Sequence, residues 1–312
     1  MITKPMDVLE MYEVRKSKKQ KAAFRSAVSD YAARLQYPVH VEQGSLGSRN
    51  IVIGDPEGAD YLVTAHYDTP ASIGIPNFIT PCNPVFFILY QILLLIPFFL
   101  AAFLAGWLVS LFTEDTLLIF WAAYIAYFGL LILMMVGPAN RHTANDNTSG
   151  VVTVLEIMST LPENLRSRVC FVLFDLEEAG LIGSSSYRKT HKAATDRQMV
   201  LNLDCVGDGD HIVLFPTKKL KKHPFKLASL QTMARICGRK EISIRKKGFS
   251  YYPSDQKQFP YGVGIAAFRR AKGVGLYCSR IHTWRDTVLE QTNVNVLRAA
   301  IISYISGDGI NP

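Results

Sequence analysis

Seven side chains able to bind a metal or take up a proton stand at the ends of apolar runs, in one ordered series. His66 and Asp68 close the run YLVTAHYD, and Asp146 stands just before the run that begins at Ser149. Glu177 and Glu178 follow RVCFVLF, Asp204 ends VLNLD, and His282 sits late in the chain, in IHTWRDT. Two imidazoles with several carboxylates suit zinc, which takes nitrogen and oxygen ligands and keeps one position open for water when it is catalytic. Each residue alone has a plainer reading. Asp146 can cap a helix, and Glu177 with Glu178 can open a helix and favour the positive end of its dipole. The ordered series, rather than any one member, points to chemistry.

The elements that must hold these residues alternate in period. Lys18 to Leu35 reads as a helix, with Ala22, Phe24, Val28, Tyr31 and Leu35 at near-helical spacing. Asn50 to Gly54 and Tyr61 to Ala65 are short β-rich runs split by the turn Asp55-Pro56-Glu57-Gly58. Ser149 to Leu161 reads as a helix stopping before Pro162. Arg168 to Phe174, Val200 to Asp204 and Gly262 to Phe268 are continuous apolar runs, as expected of strands covered on both faces. Strands alternating with helices predict an α/β domain around a mixed, mostly parallel sheet. In such sheets, sites collect beyond the carboxyl ends of the strands.

One region does not belong to this pattern. Val85 to Phe112 runs 28 residues without a charge, and Thr116 to Val136 a further 21. A membrane-spanning helix needs about 20 apolar residues. The Leu, Ile, Phe and Val side chains of the first segment contribute about −6 to −11 kcal/mol towards insertion, as an upper bound. Pro97 would kink that span, which a membrane helix tolerates where neighbours satisfy the freed groups. The alternative is a buried hairpin in a large soluble core, but such helices rarely run so long uncharged. The expected division is 1–83 and 139–312 as two parts of one catalytic domain, with 84–138 as an inserted transmembrane hairpin. Ala102 and Gly106 form a small-xxx-small pair that could support helix packing or an oligomer.

No Lys or Arg lies between Arg49 and Arg141, and the turn between the spans, Thr113-Glu114-Asp115, carries only acid. The positive-inside rule then predicts a two-span cell-membrane protein with both termini and the catalytic domain cytoplasmic. The totals agree. Among 312 residues, 49% are hydrophobic and 19% charged, the net charge is +8, and the mean hydropathy is +0.13. The five cysteines, odd in number and without paired spacing, fit a reducing compartment better than a disulfide framework. The first residues show no signal-type apolar core, so N-terminal export is not expected. The basic residues Lys218, Lys219, Lys221, Lys222 and Arg245 to Lys247 come with no nucleic-acid motif. Nucleic acid is therefore not an expected partner; the cluster reads either as a contact for anionic lipid headgroups or as a plain solvated basic loop.

Six stretches together resemble the co-catalytic di-zinc aminopeptidases, in the zinc-exopeptidase group that also holds glutamate carboxypeptidase and glutaminyl cyclase. They are TAHYDTP (64–70), ANDNTSGVVTVLEI (144–157), FDLEEAGLIGSSSY (174–187), NLDCVGDGD (202–210), SDQKQFPYGVGIAAF (254–268) and IHTWRDT (281–287). The resemblance spans about residues 20–80 and 140–305, and implies a three-layer zinc-exopeptidase fold. It implies two zinc ions, with Asp146 bridging them, His66 and Asp204 completing one set of ligands, and Glu178 and His282 the other. It implies Glu177 as general base, Asp68 as the carboxylate that orients His66, and a peptide with a free N-terminus as substrate. Physical reasoning supports the division. Two metals about 3.5–4 Å apart need a shared anion, and a ligating His commonly donates its second N–H to a carboxylate.

Two departures stand out. The hairpin occupies the normally short connection between the His-x-Asp motif and the bridging Asp, so the spans should emerge beside the site. Relatives often carry Tyr before the late His, where this chain has Ile281; Tyr277 is the candidate substitute. His142 is read as a rim residue and Cys205 as a core thiol. Two other functions compete: a glutaminyl-cyclase-like acyltransferase, which needs one zinc, and a scaffold without chemistry, which would be expected to have lost ligands.

Overall fold

The computed structural model describes residues 1–72 and 77–307. Ten strands form one sheet: β1 (Val39–Gln43), β2 (Arg49–Ile53), β3 (Tyr61–His66), β4 (Val169–Phe174), β5 (Met199–Leu203), β6 (His211–Pro216), β7 (Arg235–Cys237), β8 (Lys240–Ile244), β9 (Gly262–Ala271) and β10 (Gly275–Tyr277). Their order is β1-β2-β4-β3-β5-β9-β6-β8-β7, with β10 hydrogen-bonded to β9. The central strands β4, β3, β5 and β9 are parallel, and both flanks turn antiparallel. Crossover helices Gly150–Thr160 and Ile182–Thr190 link β3 to β4 and β4 to β5.

Strand β4 shows why these runs are continuous. Val169, Phe171 and Leu173 enter one core, while Cys170, Val172 and Phe174 enter another on the opposite face. Side chains alternate across a strand, so a strand covered on both sides must be apolar throughout. Burying each large side chain contributes about 1.5–3 kcal/mol. The first core is built with helices Lys18–Arg34, Gly150–Thr160 and Gln291–Ser306, and the second with Tyr187 of helix Ile182–Thr190. Ser17 and Gln20 close a reciprocal capping box at the start of Lys18–Arg34.

The two long apolar helices are Pro84–Ser110 and Thr116–Val136. They pack antiparallel on each other through Gly106, which faces Ile119 and Ala123. Their remaining apolar surface is exposed: 11% of the first and none of the second is buried within its most hydropathic window. At 1.5 Å per residue they are about 40 and 32 Å long, against about 30 Å of bilayer hydrocarbon. Both are long and apolar enough to cross a membrane. Asn83 and Asp115 cap their N-termini. At the foot of the second, Lys16 Nζ donates to the Met135 carbonyl at 3.0 Å.

The feet are pinned to the catalytic body. Ser72 N donates to the Pro138 carbonyl at 2.8 Å and Asn140 N to the Pro70 carbonyl at 3.0 Å. These bonds join the segment two residues past Asp68 to the segment six before Asp146, while Ile79 and Asn83 stay bonded to Cys278 and Val274 until the helix begins at Pro84.

Candidate metal centre

Every sequence-predicted ligand lies at the carboxyl ends of the parallel strands. His66 is the last residue of β3, Asp204 follows β5, and Glu177 and Glu178 follow β4. Asp146 lies in the tight turn Ala144–Ser149 that leads into helix Gly150–Thr160. His282 comes from the loop after β10. One expectation about local structure is corrected. Glu177 and Glu178 do not open a helix; they sit in a turn, and the next helix starts at Ile182. The reason is local: Leu176 takes a left-handed conformation at φ 58°, which breaks helical continuation. Cys205 and His282 are also left-handed, at φ 56° and 60°. Non-glycine residues held there store strain, which concentrates at functional sites.

Asp146 divides its carboxylate between the two imidazoles. Its Oδ1 lies 3.4 Å from His66 Nε2, and its Oδ2 lies 3.0 Å from His282 Nε2. Asp204 Oδ1 stands 3.6 Å from His66 Nε2, and Glu178 Oε2 stands 3.7 Å from His282 Nε2. Two donor groups result, His66–Asp146–Asp204 and Asp146–Glu178–His282, each with ligand atoms within 4.8 Å of one another. Glu177 joins His66 and Glu178 in a third.

The surroundings fix this arrangement. Asp68 does more than orient His66. The His66 Nδ1 contact is shared between the Asp68 carbonyl at 3.0 Å and its carboxylate at 3.6 Å. The same carboxylate accepts the backbone N–H of Glu177 at 3.0 Å and of Glu178 at 3.2 Å. It therefore sets the glutamate turn as well as the imidazole. Asp286 has the matching role opposite, accepting the N–H of Asn145 at 2.8 Å and of Asp146 at 3.0 Å. The sequence reading gave Asp286 no role, although it lies within the stretch IHTWRDT; a backbone partner 140 residues away leaves no local signal. Buried Arg15, at the start of the basic run 15–21, also carried no local signal of a role. It donates to the Tyr67 carbonyl and to Thr148 beneath the site.

Electrostatics show what the cluster lacks. Five carboxylates, Asp68, Asp146, Glu177, Glu178 and Asp204, face two imidazoles. Burial lifts Glu177 well above the carboxylate range and Glu178 to about 8. Burial alone would depress His282, but Glu178 and Asp146 carry it up to about 9. His66 is likewise raised, Glu177, Asp146 and Asp204 outweighing its burial. Asp146 and Asp68 are held low against their burial, Asp146 by the two imidazoles and Asp68 by His66 and the Glu177 N–H. Glu178 Oε1 is buried without a hydrogen-bond partner. A buried cluster of this sign is stable when paired with cations. Its nitrogen and oxygen donors fit zinc.

The other residues fall outside the cluster. His142 is about half exposed and faces Glu13. Cys205 packs among Val213, Phe215 and Phe268. Tyr277 packs on Phe78 and borders a separate cavity with His211 and Arg270. The phenol beside the site is instead Tyr252, whose hydroxyl donates to the Asp204 carbonyl at 3.0 Å. A cavity of about 460 Å³ reaches Glu178 and Asp68, and its wall includes Met135 and Val136 from the foot of the second long helix.

This fold, with histidine and carboxylate ligands at the ends of its parallel strands, is that of the zinc exopeptidases. Comparisons agree. The solved structure of Porphyromonas gingivalis glutaminyl cyclase shares it at a TM-score of 0.62 and 16% identity, over 98% of this chain and 96% of that one. A leucine aminopeptidase precursor from Bacteroides thetaiotaomicron matches at 0.57 and 13% identity, over 96% and 93%. The Legionella pneumophila LapA aminopeptidase matches at 0.56 and 12% identity, over 98% and 70%. At such identities the likeness is one of fold. No curated protein sequence matches the chain. Residues 131–303, more than half of the chain, match the sequence profile of peptidase family M28. The chain belongs to that family.

Proposed function

We propose that this protein is a membrane-anchored aminopeptidase with two zinc ions, hydrolysing the N-terminal bond of peptides. The observation that carries the reading is the division of Asp146 between His66 and His282. One carboxylate serving two donor groups is what a pair of metals requires. In this reading His66, Asp204 and Asp146 hold one zinc, and Glu178, His282 and Asp146 the other. When bound, zinc supplies Lewis acidity towards water and the scissile carbonyl.

The chain's own residues do the rest. Glu177 takes the proton of the attacking water on its carboxylate and passes it to the leaving amine. Asp68 anchors the Glu177 backbone through its N–H. Asp286 fixes the backbone of the bridging Asp146. The excess of carboxylates in the cluster favours a substrate that brings a positive N-terminus, although Lys16 and Lys21 also edge the cavity that reaches Asp68 and Glu178. Its apolar wall at Met135 and Val136 favours an apolar side chain beside it.

The uncharged helices are read as spans, with the catalytic domain and both termini cytoplasmic. The acidic turn at Glu114 and Asp115, far from the basic feet, supports that orientation. A library of paired peptides, free or acetylated at the N-terminus, tests the activity on purified full-length protein with and without zinc. Zinc-dependent cleavage of the free peptides alone is expected. Equal cleavage of both forms would contradict an aminopeptidase, and cyclisation of N-terminal glutamine without cleavage would favour the acyltransferase.

A further inference from the structure

The foot of the first long helix carries cations that the proposed chemistry does not use. Arg245 is bonded to the loop at Phe249 that packs on Phe87, Lys221 lines a cavity that the same loop borders, and the charges of both act on Cys82, two residues before Pro84. Among the described residues, neither has a carboxylate within ion-pair distance. Arg245 Nη2 donates to the Phe249 carbonyl at 3.2 Å, but its Nε is buried without a partner. Burial and the neighbouring Arg245 both depress the Lys221 ammonium, with nothing but Cys82 opposing. Two such cations with an orphaned buried N–H form a site short of an anion.

The site continues into a cavity of about 850 Å³. Phe215, Tyr252 and Phe259 give it an apolar wall, Lys218 and Lys221 edge it, and no acidic residue lines it. The loop that forms one side is docked on the long helix. Tyr251 N donates to the Pro81 carbonyl at 2.9 Å, and the Tyr251 and Phe249 rings lie 5.1 and 6.0 Å from Phe87. From that point outward the helix exposes Val85, Ile88, Leu89 and Ile92. Arg270 and Lys272 add charge on its other side, across a second cavity that includes Cys82 and Asn83. Cations at the base of an exposed apolar helix match a ligand with an anionic head and hydrocarbon tails.

We infer that Lys221 and Arg245 bind the phosphate of an anionic phospholipid whose acyl chains lie along the helix beginning at Pro84. The inference rests on the reading of the long helices as membrane spans. Each cation near an anionic surface contributes about a fivefold preference. Its role is to hold the catalytic domain against the inner leaflet in a fixed orientation.

The test uses full-length protein in nanodiscs of mixed phosphatidylglycerol and phosphatidylcholine, transferred to detergent for native mass spectrometry. The wild type should retain phosphatidylglycerol preferentially. The double variant Lys221→Gln/Arg245→Gln should lose about 30-fold in that ratio, while its activity on small soluble peptides is unchanged. Equal lipid ratios for wild type and variant would overturn the inference. So would displacement of the lipid by excess inorganic phosphate, which would mark a site for soluble anions. An alkaline carbonate wash of the source membranes separates the two failures. Protein that resists the wash but shows no lipid preference refutes the lipid site alone, whereas protein released by the wash refutes the spans on which it depends.

Discussion

Glu177 and Glu178 are adjacent, equally enclosed by the cluster, and differently employed. Glu178 reaches towards His282, while Glu177 stands with His66 and is tied through its N–H to Asp68. If Glu177 is the proton acceptor, Glu177→Gln should cut kcat by about 10²- to 10⁴-fold with the zinc content unchanged. Full activity of that variant on a well-cleaved peptide would refute its assignment. Asp146 precedes a helix and His282 lies in a loop, but most of the candidate ligands, His66, Glu177, Glu178 and Asp204, were legible because each follows an apolar run of strand length, as the order of a parallel sheet demands. Asp286 and Arg15 were not. Their partners are backbone groups and a hydroxyl brought close only by the fold, and a carboxylate or guanidinium bound in that way looks like any surface charge. Asp68 was half legible: its spacing from His66 suggested the imidazole contact, but its grip on the glutamate turn needs the β3–β4 pairing.

At the scale of elements, strands β3, β4, β5 and β9 and helices Lys18–Arg34 and Gly150–Thr160 follow from the pattern of apolar residues, to within a residue or two at most ends. Of the flanking strands, β2 follows as well, from the run Asn50 to Gly54, but the others do not. β1 reads VHVEQ and lies largely exposed at the sheet edge, with charges where a core strand has none. β8 begins with Lys240, buried in ion pairs with Asp210 and Glu290 that the sequence hides. The inserted hairpin is the clearest element of all, because nothing in a soluble core demands two such uncharged runs. Its flanks are held on the domain, Asn83 by the Val274 carbonyl and Asn140 by the Pro70 and Thr283 carbonyls, so its two ends are anchored independently of it. Closure cost rises slowly with loop length. Replacing Pro84 to Pro138 by a short Gly/Ser linker should therefore give soluble protein that binds zinc and cleaves small peptides. Substrates with bulky apolar N-terminal residues should lose more, because Met135 and Val136 leave the wall of the cavity that reaches Glu178. A folded, zinc-loaded deletion protein inactive on every small peptide would mean that the hairpin shapes the catalytic pocket itself.

Over the whole molecule, charge and hydropathy share one axis. The apolar helices point away from the body, their turn holds only acid, and the cations Lys16, Lys221, Arg245, Arg270 and Lys272 gather at their feet. Such a molecule should have its turn outside the cell and its catalytic domain inside. A cysteine at Thr113, in a background without the native cysteines, should react with an impermeant thiol reagent in intact cells, whereas one at Lys219 should not; the reverse pattern would invert the topology. The centre of the account remains the pair of donor groups that share Asp146. The direct measurement is the zinc content of purified, active full-length protein, by elemental analysis against protein concentration. Two zinc ions per chain are expected, lost together with activity on chelation and regained with it, and a fully active protein holding a single zinc, or none, would contradict the account.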